Sequence, residues 1–174
     1  MSFSQLGAVA GEGLYHAVIE IPAGGGSVKY EVDKTSGVLK VDRVLSTSMV
    51  YPCNYGYIPA TLCEDGDPVD VLVWAPFALH PGSVCPVRMV AKLNMKDEAG
   101  LDTKLLAVPS ASCCPALAHV VNQHDVERGL LKKIEHFFKH YKDLESGKWV
   151  EVASWEDHSA ADAEVQRCLA NYKA

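Results

Sequence analysis

The sequence predicts a mainly β, α+β fold: an antiparallel sheet closed into a small barrel, with two helices packed on it near the C-terminal end. Three observations predict it. Short apolar segments separated by Gly- and Pro-containing turns fill the first two-thirds of the chain, with no helix pattern between them. Past Asp125 the apolar period lengthens from about two residues to about 3.6. A chain of 174 residues, 48% of them hydrophobic, suits one core, so residues 1–174 are read as a single domain.

Taken in order, Tyr15–Ile21 alternates and stops at Pro22, and Gly24–Ser27 turns the chain into Val28–Val32. Asp33–Gly37 reads as a hairpin turn into Val38–Val44. Val69–Trp74, Val84–Met95 and Lys104–Val108 complete the β-rich set. From Val126 to about Leu144, the residues Leu130, Ile134, Phe137, Phe138 and Tyr141 recur at helical spacing, and Gly147 follows. A short strand near Trp149–Ala153 precedes an Ala-rich helix over Ser159–Tyr172, with Val165 and Leu169 on one face.

Charge narrows the function classes. A net charge of −6 argues against a nucleic-acid footprint or an anionic membrane partner. The six cysteines form no CxxC pair and none has a His at zinc-finger spacing. Met1–Gly11 has no basic or long apolar stretch, and the apolar run Val71–Leu79 is short and broken by Pro76. The cysteines are therefore read as buried free thiols and the chain as cytoplasmic.

Chemistry concentrates in Asp65-Gly66-Asp67-Pro68-Val69-Asp70. Three ionised carboxylates in one turn repel each other and need protons or cations among them. Oxygen donors without Cys or His favour Mg2+, Mn2+ or Ca2+ over zinc. An EF-hand loop counted from Asp65 fails, because Asp70 and Pro76 stand where Gly and Glu are required. Taken alone, the turn reads equally well as a solvated acidic loop. A second acidic group, Asp97-Glu98-Ala99-Gly100-Leu101-Asp102, again follows an apolar strand, so the two turns are expected to converge. Lys29, Arg43, Lys104 and Lys142 lie in or beside apolar segments, where each alone reads as a snorkelling surface residue. The tyrosines of Tyr51–Tyr57 read as core and turn.

Along nearly its whole length the chain resembles the bacterial-type family I soluble inorganic pyrophosphatases. The resemblance is carried by Val18–Pro22, Lys29–Glu31, Asp42–Arg43, Tyr51–Ile58, Asp65–Val71, Asp97–Asp102, Lys104 and His136–Leu144. It implies an OB-like five-stranded barrel flanked by the two helices. It implies that Asp65, Asp70 and Asp102 hold one Mg2+, with Asp70 bridging to a second. Asp97 and Asp102 would serve a metal brought with the substrate, and Glu20 and Glu31 would lie near the metals or their waters. Mn2+ or Zn2+ would act as substitutes. Lys29, Arg43, Tyr55, Lys104, Tyr141 and Lys142 match the phosphate-binding set, and Asp67 the general base. The implied reaction is direct in-line attack on pyrophosphate by a metal-held hydroxide, giving two orthophosphates without a covalent intermediate.

Two positions depart from the family pattern. Leu101 stands where an acid is frequent, which implies altered outer-shell metal affinity, and Trp74 stands where Pro is frequent. On the Leu130–Leu144 helix, His136, His140 and Asp143 share a stripe distinct from the apolar one. By spacing alone this is a solvated polar face; the resemblance implies subunit contacts in a hexamer of two stacked trimers. A single-strand nucleic-acid module on the same barrel would need a basic groove, against the acids here. A Ca2+-buffering protein would use the Asp turns without turnover.

Overall fold

The computed structural model describes residues 3–173. Its strands are Val9–Gly11 (β1), Leu14–Ile21 (β2), Val28–Val32 (β3), Leu39–Val44 (β4), Asn54–Tyr57 (β5), Asp70–Val73 (β6), Val84–Asp97 (β7), Gly100–Leu101 (β8), Lys104–Pro109 (β9) and Val150–Glu156 (β10). Helix α1 spans Arg128–His140 and α2 spans His158–Lys173. Five strands pair in the order β2-β5-β6-β9-β7, and β7 pairs back to β2, so they close a ring. The mainly β, OB-like expectation with two C-terminal helices therefore holds. β1 and β10 extend the ring, β8 pairs with the end of β7, and β3–β4 form a separate hairpin.

One expectation fails. The ring is not wholly antiparallel, because β6 and β9 run parallel, with Asp70 beside Lys104. The chain leaves β6, passes through the long β7, and returns antiparallel to β7, hence in the direction of β6. Turn spacing does not reveal that crossover. The Tyr51–Tyr57 stretch also holds a strand, β5, where only core and turn were expected. All four of its residues are buried, so the alternation that marks a half-exposed strand is missing.

Successive residues of the ring point to two different cores. Leu72, Leu93, Leu106 and Val108 pack with Ile134, Phe137 and Phe138 of α1. Val71, Val73, Leu105 and Ala107 pack with Ala161, Val165 and Cys168 of α2. Each helix thus covers one side of the same strands, which is why β9 is buried throughout and apolar past Lys104. Gly56 is fixed by contact: a Cβ there would stand 1.8 Å from the carbonyl oxygen of Val18, so only glycine lets β5 lie against β2. All six cysteines are free. Cys53, Cys85 and Cys168 are buried as expected, whereas Cys63 and Cys114 are half-buried and Cys113 is exposed. No helix among the described residues is long and apolar enough to cross a membrane.

Candidate active site

At one end of the ring a cavity of about 300 Å3 collects side chains from six separated segments. β2 contributes Glu20, which sits at a register shift between Ile19 and Ile21. The β3–β4 hairpin contributes Lys29, Glu31 and Arg43, with Lys29 directly opposite Arg43. Tyr55 comes from β5, and Asp65, Asp67 and Asp70 from the turn entering β6. Asp97, Asp102 and Lys104 come from the ends of β7 and β9 and the turn between them, and Tyr141 and Lys142 from the end of α1. All thirteen residues singled out in the sequence line this one space.

Local structure explains the positions. Asp65 Oδ1 accepts from the Asp67 amide at 3.0 Å, and Gly66 takes a φ of 90°, so the turn folds back on its own carboxylate. The Asp67 carbonyl accepts from the Cys63 amide at 2.8 Å and closes the loop. Asp97 Oδ1 caps the second turn by accepting from Ala99 N at 2.8 Å. Tyr141 is set by stacking on Phe137, whose centroid is 5.2 Å away.

The lysines are paired inside the site, not snorkelling from it. Lys104, 4% exposed, donates to both Asp70 and Asp102. Lys142, 8% exposed, reaches Asp97 at 2.7 Å and Glu98 at 3.5 Å. Lys29 binds Glu31 and lies 3.2 Å from Asp42, and Arg43 reaches Glu145 at 3.1 Å. The surface reading of Lys104 and Lys142 is thus corrected: parallel pairing brings Asp70 alongside Lys104, and the turn after α1 sets Lys142 against Asp97. Sequence reading missed Lys34, Tyr51 and Tyr57. Lys34 lies 3.6 Å over the Tyr57 ring and 3.5 Å from Glu20. Its place in a hairpin turn carried no signal beyond a loop.

Seven carboxylates face five cations in this cavity, so the acids are under-neutralised. Burial, with Asp70 and Glu31 nearby, pushes Glu20 up to about 7 despite Lys34 and the Val32 amide, which donates to it at 2.7 Å. Burial and the neighbouring Asp65, Asp70 and Glu31 raise Asp67. Asp102 is raised by burial and by Asp70 although Lys104 opposes this. Burial works against the charge on Lys104, but Asp70 and Asp102 outweigh it and hold the ammonium above the usual lysine range. The donor set is all oxygen, without Cys or His on the wall, and it fits hard divalent cations. Among the described residues no three of these acids bring their ligand atoms within 4.8 Å of one another, and Lys104 occupies the space between Asp70 and Asp102.

This cavity belongs to a hydrolase of the phosphoryl-transfer kind, and the comparisons agree. Residues 17–173 match the family model described as inorganic pyrophosphatase. The chain is 56% identical over 150 residues to an inorganic pyrophosphatase of Yersinia pestis, covering 86% of each chain. It is 52% identical over 158 residues to one of Xylella fastidiosa, covering 91% of this chain and 89% of that one. Its fold superposes with a TM-score of 0.93 on an inorganic pyrophosphatase of Thermus thermophilus, 43% identical and covered fully on both sides. An Anaplasma phagocytophilum structure described as an inorganic phosphatase superposes at 0.95, is 43% identical, and covers 98% of this chain and 100% of its own. The chain belongs to the inorganic pyrophosphatase family, whose members work with divalent metal ions.

Proposed function

We propose that this chain, acting as one domain over residues 1–174, hydrolyses inorganic pyrophosphate to two orthophosphates with Mg2+ as its preferred ion. The observation that carries the reading is the acidic cavity itself. Seven carboxylates and five cations leave no net positive charge for an anionic substrate, so cations must come with it. Asp65, Asp70, Asp97 and Asp102, with Glu20 and Glu31, are the residues that would hold them. When bound, divalent ions neutralise phosphate charge and make coordinated water a stronger acid.

The chain's own groups do the rest. Asp67 sits at the exposed mouth of the cavity, and its raised proton affinity suits it to take the proton from the attacking water. Lys29, Arg43, Lys104 and Lys142 are each held by carboxylates in the free chain. Cations held by Asp70, Asp97 and Asp102 would free Lys104 and Lys142 for phosphate oxygens, where with Lys29 and Arg43 they would stabilise charge that grows during the reaction. Tyr55 and Tyr141 remain protonated through burial, the first with help from Asp70, and serve as neutral donors. Phosphate release from pyrophosphate, measured with Mg2+ and then with excess EDTA, tests the reading. Release should stop with the chelator, and full activity in metal-free buffer would sink it. Ca2+ should bind yet support little turnover, because its longer, looser coordination misplaces the reactants.

The same reading places the chain in the cytoplasm and in a hexamer of two trimers. His136 and His140 lie exposed on α1, their ring centroids 4.7 Å apart, and Asp143 meets His140 at 2.8 Å. An exposed imidazole pair with a carboxylate at hand suits contacts between subunits.

A further inference from the structure

Behind the acidic cavity lies another of about 190 Å3, which shares Asp65, Asp70 and Asp102 with it. Cys63 and Glu164 line its far side. Cys63 stands at the base of the Asp65–Asp67 turn, while Glu164 and Cys168 stand one helical turn apart on α2. The sulfurs of Cys63 and Cys168 are 2.9 Å apart, and Cys168 Sγ lies 3.7 Å from Glu164 Oε1. One ligand atom from each of the three lies within 4.8 Å of the other two. Backbone contacts hold the arrangement: Leu62 N donates to the Cys168 carbonyl at 2.9 Å. None of the three lines the acidic cavity.

We propose that Cys63, Cys168 and Glu164 form a site for a thiophilic divalent cation of the Zn2+ class, separate from the oxygen-lined cavity. Two thiolates and one carboxylate are donors that select such a cation over Mg2+. Tetrahedral coordination, with metal–sulfur bonds of about 2.3 Å and metal–oxygen bonds of about 2.0–2.2 Å, sets the ligand atoms roughly 3.5–3.8 Å apart. The sulfurs therefore part by about 1 Å on binding, a movement open to half-buried Cys63 on its turn while Cys168 stays in the helix. Cys63 and Glu164 border the 190 Å3 cavity, which leaves room for water as a fourth ligand. Binding replaces two S–H bonds with two metal–sulfur bonds and releases two protons, with no change of oxidation state. Arg167 pairs with Glu164 and Glu64, and Lys92 lies 3.9 Å from Glu164. Lys92 is held more closely by Glu156, at 2.9 Å, so Arg167 is the nearer counter-charge to Glu164. An ion here ties the Asp65–Asp67 turn to α2.

The test titrates the phosphine-reduced protein with Cd2+, a thiophilic probe, while excess Mg2+ keeps the oxygen-lined cavity occupied. A thiolate-to-Cd2+ charge-transfer band should saturate at one ion per chain. It should vanish in C63S and in C168S, and E164Q should weaken binding by about tenfold or more. Absence of the band in the wild type, or its persistence in the C63S/C168S double variant, overturns the proposal. Should those variants unfold, cadmium NMR of the wild type decides alone: two sulfur ligands support the site and fewer overturn it. The readout involves no pyrophosphate, so its failure and that of the hydrolase reading are separate events.

Discussion

At the end of α1, four consecutive residues divide two ways. Tyr141 and Lys142 turn inward, and Lys142 meets Asp97 at 2.7 Å with both side chains about a tenth exposed. His140 and Asp143 turn outward and meet at 2.8 Å with roughly half of each side chain in solvent. The two contacts have nearly the same length but not the same consequence. An exposed pair contributes about 0–1 kcal/mol because water and salt screen it. Breaking a buried pair costs about 3–5 kcal/mol because it strands a charge. Separation therefore says little about which charges matter here, and burial says most.

The largest effect should come from the chemistry of the cavity that Tyr141 and Lys142 turn toward. Asp67→Asn removes a proton acceptor and keeps the shape, so kcat at saturating Mg2+ should fall about 10²–10⁴-fold with the fold intact. Near wild-type turnover would mean that another group takes the proton.

A smaller effect bears directly on the comparison. Lys142→Met should cost about 3–5 kcal/mol in urea unfolding of the metal-free chain, since it strands Asp97. Added Mg2+ should shrink that loss if Asp97 holds a cation as proposed, because that ion would take the lysine's place. Equal losses for Lys142→Met and Asp143→Asn would erase the distinction between the two regions.

Glu20 supplies a pH signature of the buried side. Its carboxyl rises from 4.5 to about 7 on folding, chiefly through burial. Between those values the folded chain holds a proton that the unfolded chain has released. The metal-free chain should therefore lose stability, in all about 3 kcal/mol, as the pH climbs from 4.5 to 7, and no more above that. Glu20→Gln should flatten this slope in unfolding curves recorded across the window, and an unchanged slope would assign it to another group.

The smallest energetic effect belongs to the outward face. His136→Gln/His140→Gln should change the stability of each chain by less than about 1 kcal/mol. In light scattering, the same double variant should convert hexamers to trimers. Acidifying the wild type through the imidazole range, roughly pH 6.5 when unperturbed, should do likewise. A wild-type monomer at neutral pH, or a double variant that assembles normally across roughly pH 5–8, removes this face from assembly.

Much of the molecule was legible along the chain. Val28–Val32 is the strand predicted, and α1 and α2 fall within the predicted helical stretches or a residue or two of them, because their apolar residues recur at periods that only a strand or a helix can bury. The two acidic turns were legible too, since carboxylates packed at that density need counterions whatever the fold. Two things depended on the tertiary structure. One is the parallel pairing of β6 with β9, which sets Asp70 beside Lys104 and turns an apparent surface lysine into a buried one. The other is the meeting of Cys63 with Cys168, 105 residues apart in sequence. Periodicity reports which face of an element is buried; it does not report which distant element lies against that face. Burial and pairing, which set the charge states in this site, follow only once the ring has closed.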